Sequence, residues 1–153
     1  MLRDLVWDGL ESGFDPGRVR DVDVAFFDAA DLSTERDRRV DRALREIMPA
    51  VPWEATNQAA VHTWYEQRFG FEVPPLLSSA DGVATWPETA TAVAVRLRGD
   101  GDLEFTAVPG GIADLMNGVC RRNPRRVDRA EYRRRLERKV VARRWPQVVV
   151  IQD

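Results

Sequence analysis

The sequence predicts an α+β fold, with a mixed or antiparallel sheet and helices packed mainly on one face. Three observations carry this. Short runs rich in β-branched and aromatic residues, clearest at 19–27, 91–97 and 103–108, read as strands. Longer stretches repeat apolar residues every three or four positions, as a helix with one buried stripe does. Gly, Pro and Asn fall at the joints between these stretches. No internal repeat, low-complexity tract or linker-like stretch divides the 153 residues. One domain is therefore expected over residues 1–153, a length that can bury a core.

In chain order, Leu2, Leu5, Val6 and Leu10 recur at helical spacing, and residues 12–17, with two glycines and Pro16, form a loop. After the strand at 19–27, Ser33 or Thr34 is placed to cap a helix that takes Glu35 and Asp37 in its first turn. Its apolar face is Val40, Ala43, Leu44, Ile47 and Met48, and Pro49 marks its end. Residues 50–56 read as a short strand carrying Trp53 and Glu54. Asn57 suits the N-cap of a helix over 58–68, with Val61, Trp64, Tyr65 and Phe69 as its apolar positions and Gly70 as its stop. A loop with Pro74-Pro75 leads to a brief turn capped by Ser79 and ending before Pro87. Residues 91–97 and 103–108 flank Gly99-Asp100-Gly101 as a hairpin, broken by Pro109-Gly110-Gly111. A short apolar helix is expected over 112–120, and Asn123-Pro124 breaks the chain again. A long basic helix then runs from Asp128 or Arg129 to about residue 144, with Tyr132, Leu136, Val140 and Val141 inward. Trp145-Pro146 ends it, and 148–151 is a final strand.

Composition narrows the class. Hydrophobic residues make 44% and charged residues 31%, a globular balance. No apolar run nears the roughly 20 residues that span a bilayer, and Asp4 and Asp8 interrupt the opening residues, so no leader is expected there. The single cysteine, Cys120, can form no internal disulfide and has no nearby histidine to activate it; a core thiol in a reducing cytoplasm is expected. The net charge of −2 hides a division: residues 121–144 hold twelve Lys or Arg against Asp128, Glu131 and Glu137, a local +9, so the rest carries −11. A basic segment of this kind meets phosphate, nucleic acid or an acidic face of its own fold.

The chemistry centres on Asp21 and Asp23. Residues i and i+2 of a strand share a face, roughly 6–7 Å apart, so the two carboxylates can share a divalent cation while Val22, Val24 and Phe26 point into a core. The pattern alone equally describes a half-buried strand with a solvated acidic face. Mg²⁺ takes one or two carboxylates with substrate phosphates and water, and two-metal phosphoryl or nucleotidyl transfer wants a third carboxylate. Glu54, on the next strand after one crossover helix, is the candidate. Three such acids would repel one another unless a cation joined them. Asp28, where strand becomes loop, suits a turn better than a ligand.

These residues belong to longer matches. Residues 21–28 (DVDVAFFD), 52–62 (PWEATNQAAVH), Ser78-Ser79 with 85–95 (TWPETATAVAV), Arg122-Asn123-Pro124 and Arg144-Trp145-Pro146 occur in this order across nearly the whole chain. In this the chain resembles a bacterial nucleotidyltransferase-like family of the polymerase-β-type nucleotidyltransferase superfamily. The resemblance implies transfer of a nucleoside monophosphate from a nucleoside triphosphate (NTP) to a hydroxyl, with release of pyrophosphate. It implies Mg²⁺ or Mn²⁺ on Asp21 and Asp23, with Glu54 as the third carboxylate that orients or deprotonates the acceptor. It also implies a strand and a Gly-containing turn ahead of the Asp-x-Asp, whose backbone N–H groups hold the triphosphate. Here residues 3–8 fall within the family's following helix, and Gly9, Gly13 and Gly17 come after it, so an N-terminally shortened domain is expected. Two functional readings follow: a metal-dependent nucleotidyltransferase, or an inactive nucleotidyltransferase-like domain that binds a nucleotide, nucleic acid or protein.

Arg3, Asn57 and Thr89 are the candidate nucleotide contacts, Asn57 also serving as a cap. His62, the only histidine, cannot build a histidine metal site, and a structural role is expected. Glu88 is a possible fourth acid. Trp53, Trp64, Trp86 and Trp145 suit core packing better than base stacking. The expected partners are an NTP, an unknown hydroxyl acceptor, RNA or phosphate through residues 121–144, and a second copy of the chain through an exposed sheet edge.

Overall fold

The computed structural model describes residues 2–11, 13–139 and 141–152. They form seven α-helices and six strands. The chain divides into two compact units, Arg18–Gly82 and a second built from Leu2–Gly17 and the residues from Val83 onward. The inward position expected for Val140, and Ser12 in the first loop, lie outside the described residues.

The first unit contains β1 (Val22–Phe26), α2 (Thr34–Ile47), β2 (Trp53–Asn57) and α3 (Val61–Phe69). β1 and β2 pair in parallel, which requires a crossover, and α2 supplies it. Val22 and Ala55 are buried on one side of the pair. The helix expected over 58–68 opens with a 3₁₀ turn, Gln58–Ala60, before α3, and Gly70 closes α3 in the left-handed region at φ 84°. The apolar face expected of α2 is only partly used. Val40 and Leu44 are half-buried, but Ile47 is 77% exposed and Met48 51%. The reason is that a polar stripe beside it, Asp37, Asp41 and Arg45, takes the side facing β2.

The chain passes between the units within α4 (Ser79–Val83). The second unit holds α1 (Leu2–Gly9), the antiparallel hairpin of β3 (Val93–Leu97) and β4 (Leu103–Ala107), α5 (Gly111–Met116), α6 (Arg129–Lys139) and α7 (Val141–Arg144). β5 (Val119–Cys120) pairs in parallel with β6 (Val149–Val150). The helix expected over 112–120 ends at Met116. Gly118, at φ 64°, turns the chain so that Val119 and Cys120 become a strand instead. The strands thus pair in twos, two parallel pairs and one antiparallel, rather than in one continuous sheet.

The core of the second unit is Trp7, Ala90, Val93, Leu115, Cys120, Val141, Trp145 and Val148. Trp7 and Trp145 meet edge to face, 5.3 Å between ring centres. Each indole N–H has a partner: the Leu115 carbonyl at 2.8 Å for Trp7, and Asp8 Oδ1 at 2.6 Å for Trp145. Arg144 lies 3.2 Å from Asp4 and 3.6 Å from Asp8, so the two buried carboxylates are compensated. Cys120 is fully buried, as expected, and burial pushes its thiol up to about 11. No helix among the described residues is long and apolar enough to cross a membrane.

Candidate functional site

The parallel register sets Asp23 directly opposite Glu54, Val22 opposite Trp53 and Val24 opposite Ala55. Neighbouring strands lie about 4.8 Å apart, and in-register residues project to the same side. Asp23 and Glu54 are therefore adjacent on the outward face of the pair, and both are exposed. Asp21, one residue before β1, is also exposed and shares the parity of Asp23. The acids thus sit on the wet side of a strand pair whose other side carries the buried Val22, Ala55 and Asn57. Among the described residues, no group of three or more His, Cys, Asp or Glu is arranged to hold a metal ion.

The end of this strand pair is fixed by Asn57, which is fully buried. Its Oδ1 accepts from the amides of Asp28 at 2.9 Å and Ala59 at 3.1 Å. Its Nδ2 donates to the carbonyls of Asp28 at 2.8 Å and Asp31 at 2.9 Å. All four hydrogen-bonding positions of the amide are filled. Asn57 caps the 3₁₀ turn, as the sequence reading allowed, and also clamps the loop that leaves β1. Asp28 behaves as a turn residue: Oδ1 accepts from the Ala30 amide at 3.0 Å and Oδ2 from Arg36 at 2.7 Å. The Arg36 hydrogen bond holds its carboxyl below the usual range. Asp31 is held down by the Ser33 hydroxyl, which bonds to Asp31 rather than capping α2.

A second set of contacts was not foreseen. Asp41 Oδ1 accepts from the Ala55 amide and Asp37 Oδ1 from the Asn57 amide, each at 2.8 Å, and Arg45 donates to the Trp53 carbonyl at 3.1 Å. Residues 37, 41 and 45 of α2 thus satisfy, in reverse order, the backbone groups of residues 57, 55 and 53 on the edge of β2. The signal lay in the sequence as polar residues repeating every four positions along a helix.

The remaining candidates, Arg3, Thr89 and Glu88, belong to the second unit. Arg3 belongs to the second unit, bonded to Asp4 at 2.8 Å with its guanidinium 4.8 Å from the Trp145 ring centre. Thr89, in the same unit, is buried and donates to Asp114 at 2.6 Å. Glu88 is buried there too, ion-paired to Arg135 and accepting from Thr91 at 3.0 Å. Asn123 donates to the carbonyls of Ala84 and Trp86, both at 2.8 Å. The Trp86-Pro87-Glu88-Thr89 and Arg122-Asn123-Pro124 stretches are therefore tied to each other. His62 Nδ1 is buried with no hydrogen-bond partner.

The model of a nucleotidyltransferase family matches residues 1–150. Among solved structures, an NMR structure described as revealing a CCA-adding enzyme head domain aligns with 32% identity and a TM-score of 0.76, covering 99% of this chain and 78% of that one. No curated protein matches.

Proposed function

The chain belongs to the nucleotidyltransferase family, and we propose that it moves a nucleoside monophosphate from an NTP to a hydroxyl acceptor at the outward face of β1 and β2. The observation that carries this reading is the register, Asp23 opposite Glu54 on parallel strands. The donor set fits a hard divalent cation such as Mg²⁺ or Mn²⁺. Carboxylate oxygens on an exposed face leave room for the water and phosphate oxygens that complete an octahedral shell. Asp21 and Asp23 would hold the ion, which when bound supplies charge neutralisation at the phosphates.

The chain's own residues do the rest. Glu54, across from Asp23, accepts the proton of the acceptor hydroxyl. That oxygen forms the new bond to the α-phosphorus, the α–β bridging bond breaks, and pyrophosphate leaves with its electron pair. The β1–β2 ladder holds the two acids in register while Asn57 fixes the strand ends, so little reorganisation is needed when substrate arrives.

The test incubates the protein with each labelled NTP and Mg²⁺, beside Asp23→Ala and beside a chelated sample. We expect product from the native protein, a loss of at least about 100-fold in Asp23→Ala, and recovery when Mg²⁺ is returned after chelation. Equal product from both proteins rules out this site. Product from neither leaves the domain as a binding module.

A further inference from the structure

We propose that α6 and α7 form a docking surface for the phosphate backbone of a nucleic-acid strand. The charge division of the sequence is the starting point: +9 over residues 121–144 against −11 elsewhere. A polyanion is repelled by most of this chain and attracted by one segment, so it approaches in one way.

The structure shows which cations remain available. Arg135 and Arg144 are committed inward, to Glu88 and to Asp4 with Asp8. Arg121 pairs with Asp114. Arg134 and Arg138 both hold Glu131 at 2.9 Å. Among the described residues, Arg129, Arg133 and Arg143 are exposed and have no acidic partner. Arg129 and Arg133 stand one turn apart on α6, about 5–6 Å between Cβ atoms, a spacing on the scale of successive phosphates. Guanidinium forks bind phosphate oxygens in pairs. The large apolar side chains of α6 face inward: Tyr132 is buried and Leu136 packs on the core. Among the described residues of α6 and α7 no large apolar side chain is exposed, which disfavours a lipid partner.

This surface stands independently of whether the acids of β1 and β2 turn over. The experiment follows fluorescence anisotropy of a labelled single-stranded oligonucleotide of about 20 nucleotides, as RNA and as DNA, across a KCl series. The proteins are the native chain and the triple variant Arg129→Gln, Arg133→Gln, Arg143→Gln, each checked by circular dichroism and thermal melting. We expect log K to fall linearly with log salt, and the folded triple variant to bind at least about tenfold more weakly with a slope shallower by about two. RNA and DNA arms that differ name the strand type. Absent or salt-independent binding overturns the proposal, as does a folded triple variant that binds unchanged. Equal capture by phosphatidylserine vesicles or equal competition by polyglutamate also overturns it, in favour of a lipid or an acidic protein. None of these outcomes alters what the transfer assay reads.

Discussion

The second unit closes over two crossed tryptophans, whereas the first ties its strands together with the amide of Asn57 and the carboxylates of Asp37 and Asp41. Burial follows the same division. Trp7, Tyr132 and Trp145 are at most 2% exposed, while α2 of the first unit has no buried residue. Apolar burial is non-directional and scales with area. Hydrogen bonds to backbone fix angle and position. Placing Asp23 beside Glu54 needs register more than bulk, and the polar contacts along β2 supply register. The comparison therefore predicts that the second unit is sensitive to lost volume and the first to lost hydrogen bonds.

The largest expected effect is Trp145→Ala. It removes a buried indole from the core, deletes its edge-to-face contact with Trp7 and strips Asp8 of its donor. A loss of about 3–5 kcal/mol is expected from cavity formation, read as a shifted urea midpoint. Ile47→Ala in the first unit, at a side chain 77% exposed, should change stability by less than about 0.5 kcal/mol. Similar costs at both positions would break the distinction.

Next is Asn57→Ala. It leaves the amides of Asp28 and Ala59 and the carbonyls of Asp28 and Asp31 without their partner. A cost of about 2–3 kcal/mol is expected, with faster hydrogen exchange at the Asp28 and Ala59 amides. Asn57→Asp retains the acceptor and neither donor, so those two amides should stay slow while the fold is still weakened. Unchanged exchange in Asn57→Ala would mean that the ladder alone holds the loop.

Much of the first unit was legible because strand alternation is local. Val22, Val24 and Phe26 against Asp21 and Asp23 gave β1 its two faces, and the crossover helix put Glu54 on the adjoining strand. The register itself was not legible, because it depends on where α2 ends and how Pro52 enters β2. The apolar stripe of α2 misled for a related reason: periodicity locates a face but not its occupant, and Asp37, Asp41 and Arg45 bond to strand backbone that carries no sequence signal. The short β5 was hidden inside an apolar run whose helical spacing holds until Gly118 takes a left-handed φ. The partners of Glu88 and Thr89, Arg135 and Asp114, lie 47 and 25 residues away, beyond any local pattern.

The smallest effect separates two acids of opposite sign within the first unit. Burial pushes the Asp37 carboxyl up, the Asn57 amide pulls it down and the neighbouring Asp41 charge pushes it up again, for a net rise. An acid whose pKa rises on folding binds its proton more tightly in the folded state. Its ionised form costs stability above that pKa, and the cost fades as pH falls through the folded value toward 3.8. Asp28 runs the other way: its pKa is lowered, chiefly by Arg36, so its contribution is present above 3.8 and is lost as pH falls through the folded value. Asp37→Asn keeps the oxygen that accepts from Asn57 and removes the titration. At neutral pH it should match or slightly exceed the native stability, by less than about 0.5 kcal/mol, and that advantage should shrink on acidification. Asp37→Ala, which leaves the Asn57 amide unpaired, should cost about 1 kcal/mol or more. Urea titrations of the three proteins across acid pH read both terms. If the Asn and Ala variants behave alike, the helix carboxylate is not what holds the edge of β2, and the ladder to β1 sets the register by itself.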